Sequence, residues 1–293
     1  MKKRFSFLLV CCVVLFLLLL ECASQKAMWG NEKKGFILSY RLSPNDSWTF
    51  QATGDEKTSI DIMGSDRESS TLTKNSYTIR AFASDDSNLN TSVTIDNFVR
   101  ESEAPEGESS IDASSIVGKN FGLILSPLGK EMEYKGIDDL KIDLGEQGGG
   151  VQSVLNFYRD LFPDLADKPI KVGDSWMVQN GFTAPAGNMD IEVNTETKHT
   201  LEGLESIGGM ECLKFSTTFT GTVKGQGEQG GNNFDLAGDI TGSGTWYFAY
   251  KKGAFVKSDG LSNVKGTIKL SGGYDLSMPL TQETVTSVQL VQN

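Results

Sequence analysis

Apolar and polar residues alternate along most of this chain with the period of a half-buried β-strand. In Trp48-Thr49-Phe50-Gln51-Ala52-Thr53, and again in Met189-Asp190-Ile191-Glu192-Val193-Asn194, every second side chain is apolar. Leu213, Phe215 and Phe219 share one parity, as do Trp246, Phe248 and Tyr250, and Val264, Ile268 and Leu270, the last set with Lys265 and Lys269 opposite. Successive side chains of a strand point to opposite faces, so each run offers one face to a core and one to water. Pro44-Asn45-Asp46, Asp85-Asp86-Ser87-Asn88 and Ser126-Pro127-Leu128-Gly129 punctuate the runs. Proline presets φ, and Asn or Asp can bond its own backbone, which is turn chemistry. The pattern predicts strands over 36–42, 48–53, 59–63, 77–83, 92–98 and 121–125, and a second series running to Val291. The fold class this implies is mainly β: a large antiparallel curved sheet or half-barrel.

Two stretches depart from the alternation. After Gly148-Gly149-Gly150, the residues Val151, Val154, Leu155, Tyr158, Leu161 and Phe162 fall on one helical stripe, with Gln152, Asn156, Arg159 and Asp160 facing away. This predicts one amphipathic helix over about 151–162, ended by Pro163 and packed on the concave face of the sheet. The second departure is 101–115, where Glu101, Glu103, Glu106, Glu108 and Asp112 crowd a segment that also holds Pro105 and Gly107. Such composition buries little apolar surface and predicts a mobile acidic loop.

Ser43-Pro44-Asn45-Asp46-Ser47-Trp48 echoes Val172-Gly173-Asp174-Ser175-Trp176, and the hairpin-like stretches 121–136 and 246–260 echo one another. The chain therefore divides into two related β-rich halves, 23–150 and 151–293, which can form one continuous domain.

Residues 1–22 read as a leader rather than as part of the fold. Lys2, Lys3 and Arg4 form a basic start, and Phe5 to Leu20 is apolar apart from Ser6, the layout of a secretory signal peptide. Leu19-Leu20-Glu21-Cys22 resembles the lipobox of bacterial lipoproteins, which implies lipidation at Cys22, although Glu21 stands where that family carries a small neutral residue. The alternative is ordinary cleavage after Ser24. Of 293 residues, 27 are Lys or Arg and 38 are Asp or Glu; without residues 1–21 the balance is 24 against 37, a net of −13. A field of that sign repels phosphate backbones, which excludes nucleic acid as a partner. Cys11 and Cys12 lie in the leader and Cys212 stands alone in the remainder, so no disulfide framework is expected.

Candidate chemistry is sparse. Gly173-Asp174-Ser175-Trp176 invites a serine-nucleophile reading, but the chain has a single histidine, His199, in Glu196-Thr197-Lys198-His199. A turn that bonds its Asp side chain to the backbone and plants a tryptophan in the core accounts for the residues better. His199 is expected on a strand face and Cys212 half-buried. A zinc site needs about three His, Cys or carboxylate ligands, and no phosphate-binding loop or nucleophile elbow is present. No catalytic residue, metal or cofactor is expected.

With Pro169-Ile170-Lys171-Val172-Gly173-Asp174-Ser175-Trp176 in view, the chain resembles a family of bacterial exported proteins and lipoproteins without assigned activity. The architecture is similar to the half-barrel of lipoprotein carriers of the LolA and LppX type, a curved antiparallel sheet around an apolar cavity. The resemblance implies an exported cell-envelope protein of no known activity, membrane-anchored if Cys22 is modified and otherwise soluble; the missing catalytic residues add the expectation that it is not an enzyme. Two readings follow. In one, a hydrophobic or lipid-like ligand sits in a cavity beside the helix, with Leu155, Tyr158, Phe215 and Phe248 as lining candidates. In the other, the core is filled and the protein acts through surface contacts alone. A hydrolase stands third.

Overall fold

The computed structural model describes residues 29–291 except 45, 86–87, 146–149, 187–188, 230 and 274. The expected leader and Cys22 lie outside the described residues. Among the described residues sixteen strands follow one another: β1 (Gly30–Asn31), β2 (Gly35–Phe36), β3 (Ser47–Ile62), β4 (Ser65–Asp85), β5 (Asn88–Ala104), β6 (Gly107–Ser110), β7 (Asn120–Leu125), β8 (Glu131–Lys135), β9 (Lys141–Asp143), β10 (Val151–Ser153), β11 (Ser175–Ala186), β12 (Met189–Ile207), β13 (Met210–Gln229), β14 (Asn232–Ala249), β15 (Ala254–Ser271) and β16 (Leu276–Val291). Twelve of them form a single curved antiparallel sheet in the order β11-β12-β13-β14-β15-β16-β3-β4-β5-β7-β8, with β6 paired to β5. The sheet does not close into a barrel. Its first and second series join where β16 pairs β3, from Leu280 opposite Ile60 to Val291 opposite Thr49.

The alternation read from the sequence sorts the two faces as expected. Trp48, Phe50, Tyr77, Ile79, Val93, Phe121, Phe215 and Phe248 all turn inward and are buried. The core gathers at one end of the long strands, where two irregular segments cross the inner face as a plug. Phe36 N–H donates to Ile170 O (2.7 Å) and Tyr40 N–H to Pro127 O (2.8 Å), tying 36–42 to 126–170, while Leu165 N–H to Leu128 O (2.7 Å) ties the second segment to itself. Tyr40 is the central side chain: its ring meets Phe162 (5.2 Å) and Phe248 (5.3 Å) edge-on, and its hydroxyl donates to Pro163 O (2.9 Å). Phe50 stacks between Tyr77 (5.5 Å) and Phe255 (5.7 Å). Edge-to-face and offset rings of this kind add about 0.5–1.5 kcal/mol per pair beyond the area they bury.

Beyond the plug the same strands continue, and their inner face is half covered apart from Val223 and Leu236, which are buried. On β11–β16 it carries Phe182, Ile191, Val193, Phe234, Ile240 and Val264. On β3–β5 it carries Glu56, Thr58, Thr71, Thr73, Arg100 and Ser102. Gly242 has no room for a side chain, since a Cβ there would lie 2.3 Å from Phe219 Cζ. The Phe219 ring occupies the space that a side chain at 242 would need.

Four expectations are corrected. The helix over 151–162 is four residues long, Leu155–Tyr158. Val151–Ser153 instead pair with Lys141–Asp143 as a small hairpin, Arg159 is extended and Asp160 adopts a positive φ of 55°. A helix this short is marginal by itself, and here a strand partner takes the backbone of 151–153 while the Glu131 carboxylate takes the N–H groups of Asp160 and Leu161. Val154, Tyr158 and Phe162 are buried as the stripe required, but Val151 is 64% exposed. The acidic segment 101–115, expected as a loop, contributes a hairpin: Ala104 pairs Gly107 and Glu101 pairs Ser110. Its glutamates alternate with Ser102 and Ala104, so they project to water while the backbone pairs. Segment 36–42 is extended and buried at Phe36, Leu38, Tyr40 and Leu42, yet pairs in the plug rather than in the sheet. Cys212 is fully buried rather than half-buried, among Met210, Tyr247, Ala249 and Val256.

The turn at Gly173 is as read. Gly173 has φ +91°, Lys171 N–H donates to Asp174 Oδ2 (2.8 Å) and Asp174 N–H to Lys171 O (2.9 Å). Trp176 then turns inward and its indole N–H donates to Asp164 O (3.1 Å).

Candidate ligand cavity

Where the plug stops short of the sheet, a cavity of about 880 Å³ opens between them. Its sheet wall is built from inward positions of β11–β15, among them Phe182, Thr197, His199, Thr217, Phe219 and Trp246. The opposite wall is supplied by Glu131 and Tyr134 of the edge strand β8 and by Leu155, Phe157, Arg159 and Asp160 of the plug. The floor is an aromatic layer. Trp246 stacks on Phe215 (centroids 4.0 Å apart, 14° between planes), and Trp176 stands edge-on to both at 6.3 and 5.6 Å.

His199 is held in this layer. Its ring lies 5.0 Å from Trp176, and Nδ1 sits 2.8 Å from Thr217 Oγ1 and 3.2 Å from Trp246 Nε1. The indole N–H of Trp246 is shared between His199 Nδ1 and Thr217 Oγ1 (3.1 Å), which ties the three side chains into one polar cluster. Burial pulls the His199 pKa down to about 4, which keeps the imidazole neutral at physiological pH. Ser175 is not its partner: Trp176 and His199 are cross-strand neighbours on the inner face, so Ser175 projects from the opposite one. The pair cannot meet as nucleophile and base.

Glu131 organises the opposite wall. Its carboxyl accepts the Tyr134 hydroxyl, Asp160 N–H (2.7 Å) and Leu161 N–H (2.6 Å). Burial pushes its pKa up to about 7, against the opposing pull of those hydrogen bonds. Burial likewise raises Asp160 and Asp164. Arg159 places its guanidinium 4.4 Å above the Phe182 ring, bridging plug to sheet by a cation–π contact. Asn75 Oδ1 and Arg159 Nε, both on residues of the lining, are buried without a hydrogen-bond partner.

Of the four lining candidates named from sequence, Leu155 is on the cavity wall. Tyr158, Phe215 and Phe248 are corrected: all three are fully buried core residues and do not line the cavity. Tyr158 packs against Tyr77 and Phe121, Phe215 lies beneath Trp246, and Phe248 meets Tyr40. Parity assigns Phe215 and Phe248 to the inner face, but position along the strand decides whether the plug, which carries Tyr158, covers them. The residues that do line the sheet side, Phe182, Phe219 and His199, share that parity and sit further along. Among the described residues no group of three or more His, Cys, Asp or Glu side chains could hold a metal ion. No described helix is long and apolar enough to cross a membrane, which says nothing of a crossing by strands.

No protein-family model and no curated protein matches this chain. Among solved structures it is similar to OccK2 (OpdF) of Pseudomonas aeruginosa in complex with glucuronate, at 6% identity and a TM-score of 0.25, over 85% of this chain and 100% of the other. It is also similar to the COG4313 outer membrane channel of Pseudomonas putida F1, at 7% identity and 0.25, over 86% and 98%. A third is a BenF-like porin of Pseudomonas fluorescens Pf-5, at 7% identity and 0.20, over 85% and 100%. At these TM-scores the likeness carries no argument about function.

Proposed function

We propose that this chain is an exported protein of the bacterial cell envelope, anchored through a lipid on Cys22, that holds a hydrophobic or lipid-like ligand against the inner face of its open sheet without transforming it. The observation that carries this reading is the half-covered apolar wall of β11–β16, which runs out of the packed core past the 880 Å³ cavity. Soluble proteins seldom leave a contiguous apolar patch open without using it. The facing wall on β3–β5 is polar, with Arg100 near Glu56, so the groove has one side for hydrocarbon and one for a polar group. Asn75 Oδ1 and Arg159 Nε offer unmet polar partners between them.

Native mass spectrometry of protein extracted from the envelope in mild detergent tests this. The expected result is a co-purifying acyl-bearing ligand that is lost in Phe219→Asp, which places a charge on the cavity wall. A clean apo mass, with no uptake of a fluorescent fatty acid, defeats the reading and favours a surface-contact protein. The full burial of Tyr158, Phe215 and Phe248 speaks for that second reading, because it leaves the plugged end with little room. The anchor is tested separately, by the mass of the mature N-terminal peptide: an acylated Cys22 is expected, whereas an unmodified peptide beginning at Gln25 removes it.

A further inference from the structure

We propose that β11 is an intermolecular edge, at which a second copy of this chain adds its own β11 antiparallel to the first. This is independent of the ligand reading. β11 ends the strand order of the sheet and pairs only with β12, and among the described residues no backbone–backbone hydrogen bond leaves its other side. The pairing with β12 runs unbroken from Ser175 opposite Thr200 to Ala186 opposite Met189 without a bulge, so the edge is regular, and it is free from Ser175 to Thr183, with Pro185 O taken by Asn156 Nδ2.

Proteins guard long edges with charge, bulges or brevity. The other margins here obey that rule: β8 has five residues including Glu131, Glu133 and Lys135, and β6 has four including Glu108. β11 does not. Its sequence, SWMVQNGFTAPA, carries no charge, while each of β3–β5 and β12–β16 carries at least one. In a chain of net charge −11, this neutral edge is where two copies can approach without repulsion.

The backbone supplies the register. Pro185 O accepts from Asn156 Nδ2 and so points away from β12. Alternate residues share a direction, so Ser175, Met177, Gln179, Gly181, Thr183 and Pro185 direct their backbone polar groups outward. The one missing N–H thus falls near the strand end, where an edge tolerates proline. A two-fold axis perpendicular to the sheet keeps both inner faces on one side and pairs residues of like parity. Centred on Asn180, it sets Val178 opposite Phe182 of the second copy and Trp176 opposite Ala184 on the inner face. Outside, it sets Met177 opposite Thr183. Counting two bonds for each outward pair, and none for the two Ser175–Pro185 pairs, where proline lacks the N–H and its carbonyl is held by Asn156, the strands exchange about eight hydrogen bonds. The two apolar walls would then become continuous across the join.

Cysteine cross-linking of the full chain in the intact envelope tests this. Asn180→Cys lies on the axis at a non-hydrogen-bonded position, where Cβ atoms of facing residues come to about 4.5–5.5 Å, close enough for mild oxidation to bridge. The expected result is a covalent dimer on a non-reducing gel for Asn180→Cys, above the wild-type background, and none for Gln179→Cys. Adding Met177→Lys with Thr183→Lys should cut the dimer yield about tenfold, by placing two like-charged pairs across the join. Met177→Lys with Thr183→Glu should restore it. Both positions are exposed, so the substitutions spare the fold. Absence of dimer in Asn180→Cys, equal yields at 179 and 180, or indifference to the charge swap each overturns the proposal.

Discussion

The two ends of the long strands make an instructive pair. At the plugged end Phe50, Phe248 and Phe255 are at most 2% exposed; further along the same strands and face, Ile60, Ile240 and Val264 are only half-buried. Nothing in the alternation distinguishes them. What differs is the presence of residues 36–42 and 126–170 overhead. Patterning decides which side of a strand is apolar, and a separate part of the chain decides whether that side becomes interior or a site.

This contrast can be broken at several points. The largest effect is expected from Phe162→Ala, because the ring touches Tyr40, Trp48 and Phe50 at once. Large-to-small changes of this type cost about 3–5 kcal/mol, read as a shift of the urea midpoint. Glu131→Ala should cost about 1–3 kcal/mol, since it leaves the N–H groups of Asp160 and Leu161 without their acceptor.

The pH dependence sharpens the comparison within the cavity walls. His199 is held near 4 against an ordinary 6.5, so the unfolded chain gains its proton first; this stability is complete above pH 6.5 and is lost as pH falls toward 4. Glu131 is held near 7 against an ordinary 4.5, so its contribution is complete below pH 4.5 and is lost as pH rises through 7. Between pH 4.5 and 6.5 the two slopes oppose, and the wild-type urea midpoint should vary little. Over that range Glu131→Gln should become more stable with rising pH, and His199→Gln less. The smallest effect is expected at the open end, where Ile240→Ala should cost under about 1 kcal/mol because the side chain already meets solvent. A cost there equal to that of Phe162→Ala would mean that the far wall is covered in solution.

The sequence made the faces legible and the lengths illegible. Asp190 and Glu192 flank Ile191, and the structure places the acids outside and the isoleucine inside, as read. The strands themselves run much longer than their apolar cores: 48–53 and 59–63 are two pieces of the single strand Ser47–Ile62. Thr, Ser, Gly and paired charges fill the gap between them, and such residues read as loop until neighbouring strands supply partners for the backbone. The acidic hairpin was misread for the same reason. The helix was misread because a helical stripe and an irregular plug bury the same residues, Val154, Tyr158 and Phe162, and periodicity cannot tell them apart. In the cavity, Leu155 was legible from its stripe. Phe182, Phe219 and Glu131 were not, because their role depends on where the plug ends.

The junction of β16 with β3 bears on how the molecule comes into being. The final described strand completes the middle of the sheet, so neither series has a finished inner margin until the carboxyl-terminal residues are available. Contacts so distant along the chain form late and slowly. Synthesis from the amino end therefore leaves the inward margins of β3 and β15 unpaired until Leu276–Val291 has emerged.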